Sequence, residues 1–467
     1  MAQFYDIADT IAAIATPPGT GGIGIVRLSG PRALAIADEV FVARRGIVPS
    51  QCPTHTVHYG DVVRRGEGES GIVDEALVTV MRAPRSYTCE DVVEISCHGG
   101  AAAVNAVLRL VLAQGARLAG PGEFTRRAFL NGRIDLTQAE AVLDVIHSQT
   151  ETGLVVSEHQ LKGDLARRLE EIRRQLMDLY VRMEGEVNFP QEEDEPAGWP
   201  EFRPALEAVE TALRDLLRNA DQGRVVREGL TVVLCGRPNV GKSSLMNRLL
   251  RQPRAIVSGI EGTTRDTIVE CAHIGGIPLQ IVDTAGILDP RDEIEQEAVR
   301  RSHEHIARAD LVLFLLDASR PVSGQDRVLA QSLEGRPVIT VLNKSDLPQA
   351  VDPAAAAGLV DALEICPVSA LMQEGMGQLQ EAILRYVLHG RRLEPQGIFL
   401  SNVRHIDLLT KSLEEVLAVR ESGGQTLSLE FCCEHLKQAI RQLDRVTGRD
   451  IDADLIDQIF SNFCVGK

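Results

Sequence analysis

Apolar residues in this chain keep two rhythms, and the rhythm changes with position. Through residues 1–135 they gather in short runs at 23–28, 76–81 and 91–95, which predict strands, and a helix is predicted over 101–114. From Leu161 onward the spacing lengthens. Leu165, Leu169, Ile172, Leu176, Leu179 and Met183 recur at steps of four or three, the period of one helix face, and Leu206, Val209, Leu213 and Leu216 repeat it. Between the two stripes the acidic run Glu192 to Glu195, with Pro196 and Pro200, predicts a solvated loop. Residues 229–390 return to apolar strands alternating with helices, the pattern of a mostly parallel sheet covered on both faces. Helical periodicity resumes from Val403 to Lys467.

This ordering gives four segments: an α+β domain at 1–135, a first helical part at 136–228, a nucleotide-binding α/β domain at 229–390 and a second helical part at 391–467. Helices on both sides of 229–390 are most simply one helical domain into which that segment is inserted. The chain has 467 residues, ample for several cores. Its 49 Lys and Arg against 66 Asp and Glu leave a formal charge of −17, which argues against a free-standing basic surface for nucleic acid. The nine cysteines form no CxxC pair, no apolar run reaches membrane-spanning length, and no charged leader precedes an apolar core. A cytoplasmic protein without a membrane span is therefore expected.

The most specific chemistry lies in Gly236-Arg-Pro-Asn-Val-Gly-Lys-Ser-Ser244, which fits the phosphate-binding pattern GxxxxGK[ST] and follows the apolar run 230–234. Gly236 and Gly241 let the backbone curl so that amides face phosphate, Lys242 neutralises it, and the Ser243 hydroxyl suits magnesium. Ile281 to Gly286 places Asp283 at the end of a strand to hold magnesium through water, with the Gly286 amide near the γ-phosphate. Asn343-Lys-Ser-Asp346 follows a strand predicted at 338–342. Its aspartate can accept from the N1–H and exocyclic amine of guanine; adenine lacks that amine, so the site favours GTP by on the order of 10⁴-fold. Ser369-Ala370, after a strand at 364–368, completes a base pocket. The segment Gly19 to Gly24 matches GxGxxG, but it runs into an apolar strand and so is not read as a dinucleotide site.

Many small GTPases place a glutamine directly after DTAG; this chain has Ile287. Within Asp292-Glu-Ile-Glu295, a carboxylate could hold the attacking water, or the run is a solvated first helical turn where acids suit the dipole. Gly262-Thr-Thr-Arg-Asp266 occupies the place of a switch loop.

Ala15 to Gly19 with Gly21 to Ile25, Cys97-His-Gly-Gly100, Pro121-Gly-Glu-Phe124, the GRPNVGKSS loop, GTTRD and the tail Phe463-Cys-Val-Gly-Lys467 together resemble the MnmE (TrmE) family of tRNA modification GTPases, over essentially the whole chain. The resemblance implies a folate-binding-like dimerisation domain, a helical domain and an inserted Ras-like G domain, acting as a homodimer. It implies potassium-stimulated GTP hydrolysis and work with the flavin-dependent partner MnmG (GidA), as a heterotetramer, on the wobble uridine of certain tRNAs. It places the nucleotide at Asn239, Val240, Gly241, Lys242, Ser243 and Ser244, at Ser258, Thr263 and Thr264, at Asp283, Thr284, Ala285 and Gly286, at Asn343, Lys344 and Asp346, and at Ser369 and Ala370. Magnesium falls to Ser243 and Thr264, potassium to Asn239, Ser258, Ile260 and Thr263, and the catalytic water to Glu295 in preference to Glu293. Relatives often carry threonine at the place of Ser258, but the implied ligand is a carbonyl. A 5-formyltetrahydrofolate site would use Arg27, Glu94, Arg133 and Lys467; several members have lysine where Arg133 stands. Cys464 occupies the place of a family cysteine implicated in modification, and a lone cysteine near Phe460 and Phe463 also suits a small buried apolar residue.

Two other classes compete. A GTP-dependent ribosome-assembly or RNA-binding switch would need a basic RNA module such as a KH domain. A folate-dependent transferase with a vestigial nucleotide domain would keep its activity without Lys242.

Overall fold

Strand-length apolar runs build two sheets of different exposure, and the difference follows from their residue patterns. The structure, a computed structural model, describes residues 9–65, 71–188, 199–218, 220–250, 269–283, 300, 303–390, 397–422 and 429–467. The chain divides into two units, one of residues 1–143, 160–181 and 433–467, the other of residues 144–159 and 182–432.

In the first unit seven strands, β1 (Ile11–Ile14), β2 (Ile23–Ser29), β3 (Phe41–Ala43), β4 (Thr56–Arg64), β5 (Gly71–Met81), β6 (Val92–His98) and β7 (Arg117–Leu118), lie in the order β3-β4-β5-β6-β2-β1-β7. Neighbours are antiparallel except for the parallel β1–β7 pair. Val26, Leu28, Val78, Val80, Val93 and Ile95 cover one face and pack against Val104, Val107 and Val111 of the helix Ala101–Ala113. On the other face Val57, Tyr59 and Leu77 are exposed. One row across it is Tyr59, Leu77, Ser96 and Ile25, and a neighbouring row is Val57, Thr79, Glu94 and Arg27. Residues 19–24 feed β2 and open no helix.

The period of three and four reads out as the helix Asp164–Asn188, with Leu165, Leu169, Ile172, Leu176 and Leu179 buried. Arg173 on this helix pairs with Asp444 of the helix Leu429–Thr447 at 2.6 Å. The following helix, Ala453–Ser461, and the tail bring Ile456, Phe460 and Phe463 into a cluster with Leu136 and Ala139.

In the second unit six strands, β8 (Leu230–Cys235), β9 (Val269–Ile274), β10 (Ile277–Asp283), β11 (Leu311–Asp317), β12 (Val338–Asn343) and β13 (Glu364–Val368), run in the order β13-β12-β11-β8-β10-β9. Only the β9–β10 pair is antiparallel. Alternate residues feed two cores: Leu311, Leu313 and Leu315 enter one, while Val312, Phe314 and Leu316 enter the other. Burial on both faces makes β11 continuously apolar, whereas β4 and β5 alternate. In the same unit the helices Trp199–Arg218 and Val403–Ser422 are joined by the Glu210–Arg420 ion pair. Among the described residues, no helix is long and apolar enough to cross a membrane.

Candidate functional site

Parallel strands release their chains at one edge of the sheet, and the register brings the motif residues to a common level there. Asp283 stands opposite Leu234, Asn343 opposite Asp317, and Val368 opposite Asn343. Beyond β8 the chain turns through Asn239 (φ 64°) and Gly241 (φ 101°) into the helix Lys242–Leu250. Position 241 accepts no side chain: a Cβ there would sit 2.1 Å from Asn343 Nδ2 and require a backbone conformation that favours glycine.

Lys242 folds back over the loop it follows. Its Nζ donates to the Gly236 carbonyl at 2.9 Å and to the Arg237 carbonyl at 3.2 Å. The residue is buried, and desolvation holds its ammonium below the usual lysine range against the opposing charge of Asp283. Ser243 and Ser244 are exposed on the first turn. The Ser243 hydroxyl donates to Asp283 Oδ2 at 2.9 Å, while Asp283 Oδ1 is buried with no hydrogen-bond partner among the described residues. These are hard oxygen donors placed side by side.

The Asn343–Asp346 segment grips the same loop. Asn343 Nδ2 donates to the Val240 carbonyl at 2.7 Å, and its Oδ1 accepts the Ala370 amide at 3.1 Å. Lys344, itself at φ 64°, donates to the Asn239 carbonyl at 2.9 Å. Asp346 is exposed and accepts the Ser369 hydroxyl at 2.6 Å, so a carboxylate facing solvent is oriented by a fully buried serine. The structure thus brings together Asn239, Val240, Gly241, Lys242, Ser243, Asp283, Asn343, Lys344, Asp346, Ser369 and Ala370. Ser258, Ile260, Thr263, Thr264, Thr284, Ala285, Gly286 and Glu295 lie outside the described residues.

Two carboxylates that the motif reading passed over complete the arrangement. Asp317 ends β11 and meets Lys344 Nζ at 2.6 Å, with Arg320 at 3.9 Å. Burial works to raise the Asp317 carboxyl, but Lys344 and the Ser319 donors outweigh it and hold the pKa below the ordinary value. An aspartate closing an apolar strand was the signal that selected Asp283, and it applied equally here. Asp326 meets Arg237 of the loop at 2.7 Å.

In the first unit a second cluster covers the Arg27 end of the other sheet face. Arg27 and Glu94, paired across β2 and β6, form an ion pair at 2.8 Å, and Arg27 donates to the Gly466 carbonyl at 3.2 Å. Arg133 lies 4.9 Å from the centre of the Tyr87 ring, and Arg27 lies 5.9 Å from the same ring and 5.6 Å from that of Phe124. The tail is stitched in through its backbone: the Gly122 amide donates to the Cys464 carbonyl and the Phe124 amide to the Lys467 carbonyl, each at 3.2 Å. Gly122 (φ 62°) is required because a Cβ there would meet Phe463 at 2.8 Å. Arg27, Glu94, Arg133 and the Lys467 backbone are therefore neighbours around Tyr87 and Phe124. Cys464 is exposed, so the reading of it as a small buried residue does not hold. Tyr87 carried no sequence signal of its own. Nearby, a cavity of about 600 Å³ is lined by Ile14, Thr16, Ile23, Val104, Leu108 and Val465, among others.

Comparison with known proteins matches both units. A family model described as GTP-binding protein TrmE N-terminus matches residues 10–133, and one described as MnmE helical domain matches residues 136–464. The tRNA modification GTPase MnmE of Geobacter sulfurreducens is 44% identical over 465 residues, covering 99% of this chain and 100% of that one. Those of Lactiplantibacillus plantarum and Geobacillus kaustophilus are 41% and 42% identical, each over 98% of this chain, with 98% and 99% of their own lengths covered. The geometry of the loop and of the Asn343–Asp346 segment agrees with these whole-length likenesses, and the chain belongs to the MnmE (TrmE) family of tRNA modification GTPases.

Proposed function

We propose that this GTPase is stimulated by potassium and works in the cytoplasm with a flavin-dependent partner, the family's MnmG. Together they install a carboxymethylaminomethyl-type group at C5 of the wobble uridine of certain tRNAs, with a tetrahydrofolate species as one-carbon donor. The observation that carries the nucleotide part is the attachment of the base-reading segment to the phosphate loop. Asn343 and Lys344 each donate to a loop carbonyl, so the guanine-reading carboxylate and the phosphate amides hold a fixed separation.

In this reading the amides of residues 239–244 and the Lys242 ammonium take the phosphates, and Asp346 accepts from the guanine edge. Ser243 and, by the family resemblance, Thr264 would hold magnesium; Asp283, bonded to Ser243, has Oδ1 without a partner among the described residues, which suits a water on the ion. When bound, magnesium neutralises charge on the β and γ phosphates. Asn239, exposed at its left-handed turn, would join the carbonyls of Ser258, Ile260 and Thr263 around potassium. Glu295 would align the water that attacks the γ-phosphate, taking the place of the glutamine that Ile287 replaces.

The Arg27, Glu94 and Arg133 set, with the aromatic faces of Tyr87 and Phe124, fits a ligand that combines a flat donor-bearing ring with carboxylates, as 5-formyltetrahydrofolate does. Lys467 would add a further positive group. Cys464, being exposed, is available to the chemistry at this face. The exposed part of this sheet face, with Val57 58%, Tyr59 49% and Leu77 44% exposed, supports a homodimer through this unit.

Purified protein is expected to hydrolyse GTP at least tenfold faster in potassium than in sodium, as placing a cation between phosphates stabilises charge in transfer. Glu295→Ala is expected to remove most of that rate while GDP affinity stays within about threefold. Equal slow rates in the two salts would refute the cation role, and a large fall in affinity would refute the role of Glu295. Reconstituting modification with the flavoprotein and a wobble-uridine tRNA tests the remainder.

A further inference from the structure

The residue after Gly236 is tethered in a way that the nucleotide motifs do not require. Arg237 Nε donates to Asp326 Oδ1 at 2.7 Å. The Asp326 carboxylate has no exposure to solvent, and its second oxygen accepts both the backbone amide and the hydroxyl of Ser323 at 2.8 Å. Ser323 in return accepts the Asp326 amide at 3.3 Å, closing a capping box on the helix Gly324–Gln331.

Capping alone accounts for Oδ2 and leaves Oδ1 without a purpose, and a capping carboxylate functions well when open to water. Here it is buried and spends its other oxygen on a guanidinium from the phosphate loop, 89 positions earlier in the chain. The link matters because of what the Arg237 backbone does. Its carbonyl is one of two acceptors that, among the described residues, hold Lys242 Nζ over the loop, and the other belongs to the adjacent Gly236. Side chain and carbonyl of one residue thereby join a helix N-terminus to the ammonium that faces phosphate.

We propose that Asp326 is a positioning residue for phosphate binding, acting through Arg237 on the placement of Lys242. The inference rests on the reading of residues 236–244 as the GTP phosphate site. It predicts a selective defect: loosening the tie weakens contacts to phosphate and leaves guanine recognition by Asp346 unaltered.

Asp326→Asn keeps the shape and an acceptor for Ser323 but offers Arg237 a donor in place of an acceptor. In the full-length protein this variant is expected to lower kcat/KM for GTP about tenfold, since small misplacements of a positioning group carry costs of this order or larger. The preference for GTP over ATP should stay within twofold, and the melting temperature within a few degrees. A kcat/KM within twofold of the parent would overturn the proposal, as would a loss of base preference in proportion to the loss of rate. If Asp326→Asn does not fold, Arg237→Ala and Arg237→Lys decide: the alanine variant should show the tenfold defect, and lysine, which can still reach the carboxylate, should recover most of it. Equal rates for the two would count against the tie. Failure of the parent protein to bind GTP would strike at the nucleotide site itself, an outcome separate from any of these.

Discussion

Lys242→Ala is expected to lower kcat/KM for GTP on the order of 10³-fold, the loss typical of removing a pre-placed charge from a phosphoryl-transfer site. Two effects combine. On the proposed placement the developing charge on the transferred phosphoryl would lose the Lys242 ammonium, and the Gly236 and Arg237 carbonyls lose their shared donor, so the loop would give up the conformation that aims its amides. Thermal stability should change little, because the substitution also removes the cost of burying an ammonium that desolvation already disfavours. Single-turnover hydrolysis, with a melting curve on the same sample, measures both. A rate within tenfold of the parent would contradict the placement of Lys242 on phosphate. Retention of full tRNA modification by this variant would revive the transferase reading, in which the nucleotide domain is vestigial.

Asp346→Asn should invert the choice of base. The parent carboxylate, steadied by Ser369 at 2.6 Å, has lone pairs left for the N1–H and the exocyclic amine of guanine. An amide in its place presents a donor to the guanine amine, a mismatch that costs on the order of 10⁴ in discrimination where a site is built around the lost pair. Xanthine carries a carbonyl at that position and can accept from the new amide. Competition of XTP and GTP for the variant is therefore expected to favour XTP, while the parent favours GTP. An unchanged preference would mean that the base lies elsewhere.

Most of the fold was legible because its rhythms are long and clean. The stripe from Leu165 to Met183 specified one helix, and the apolar run at 338–342 read as a strand because both its faces are covered, while the edge strand at 364–368 buries Cys366 and Val368. The nucleotide motifs were legible since each is contiguous and lies at a strand end. What the sequence hid were contacts between distant segments. Asp317 closes an apolar strand as Asp283 does, but its pairing with Lys344, and that of Asp326 with Arg237, follow no spacing rule and arise only when β11 and the helix after it are placed. The cluster around Tyr87 was beyond reach for the same reason. Arg27 and Glu94 are 67 positions apart and meet through strand pairing, and Gly466 joins them from the far end of the chain. For these, family resemblance supplied residue names, and the sheet register supplies the physical cause.

The bond from Arg27 to the Gly466 carbonyl spans 439 positions, and that distance sets a timetable. A ribosome adding about 5–20 residues per second needs roughly 20–90 s to make the intervening polypeptide. The sheet must therefore wait in the cell with Arg27 lacking its Gly466 partner until translation has passed the nucleotide-binding segment. Only then can Gly466 and its neighbours settle beside Phe124, so a sheet made before the nucleotide-binding segment is completed after it.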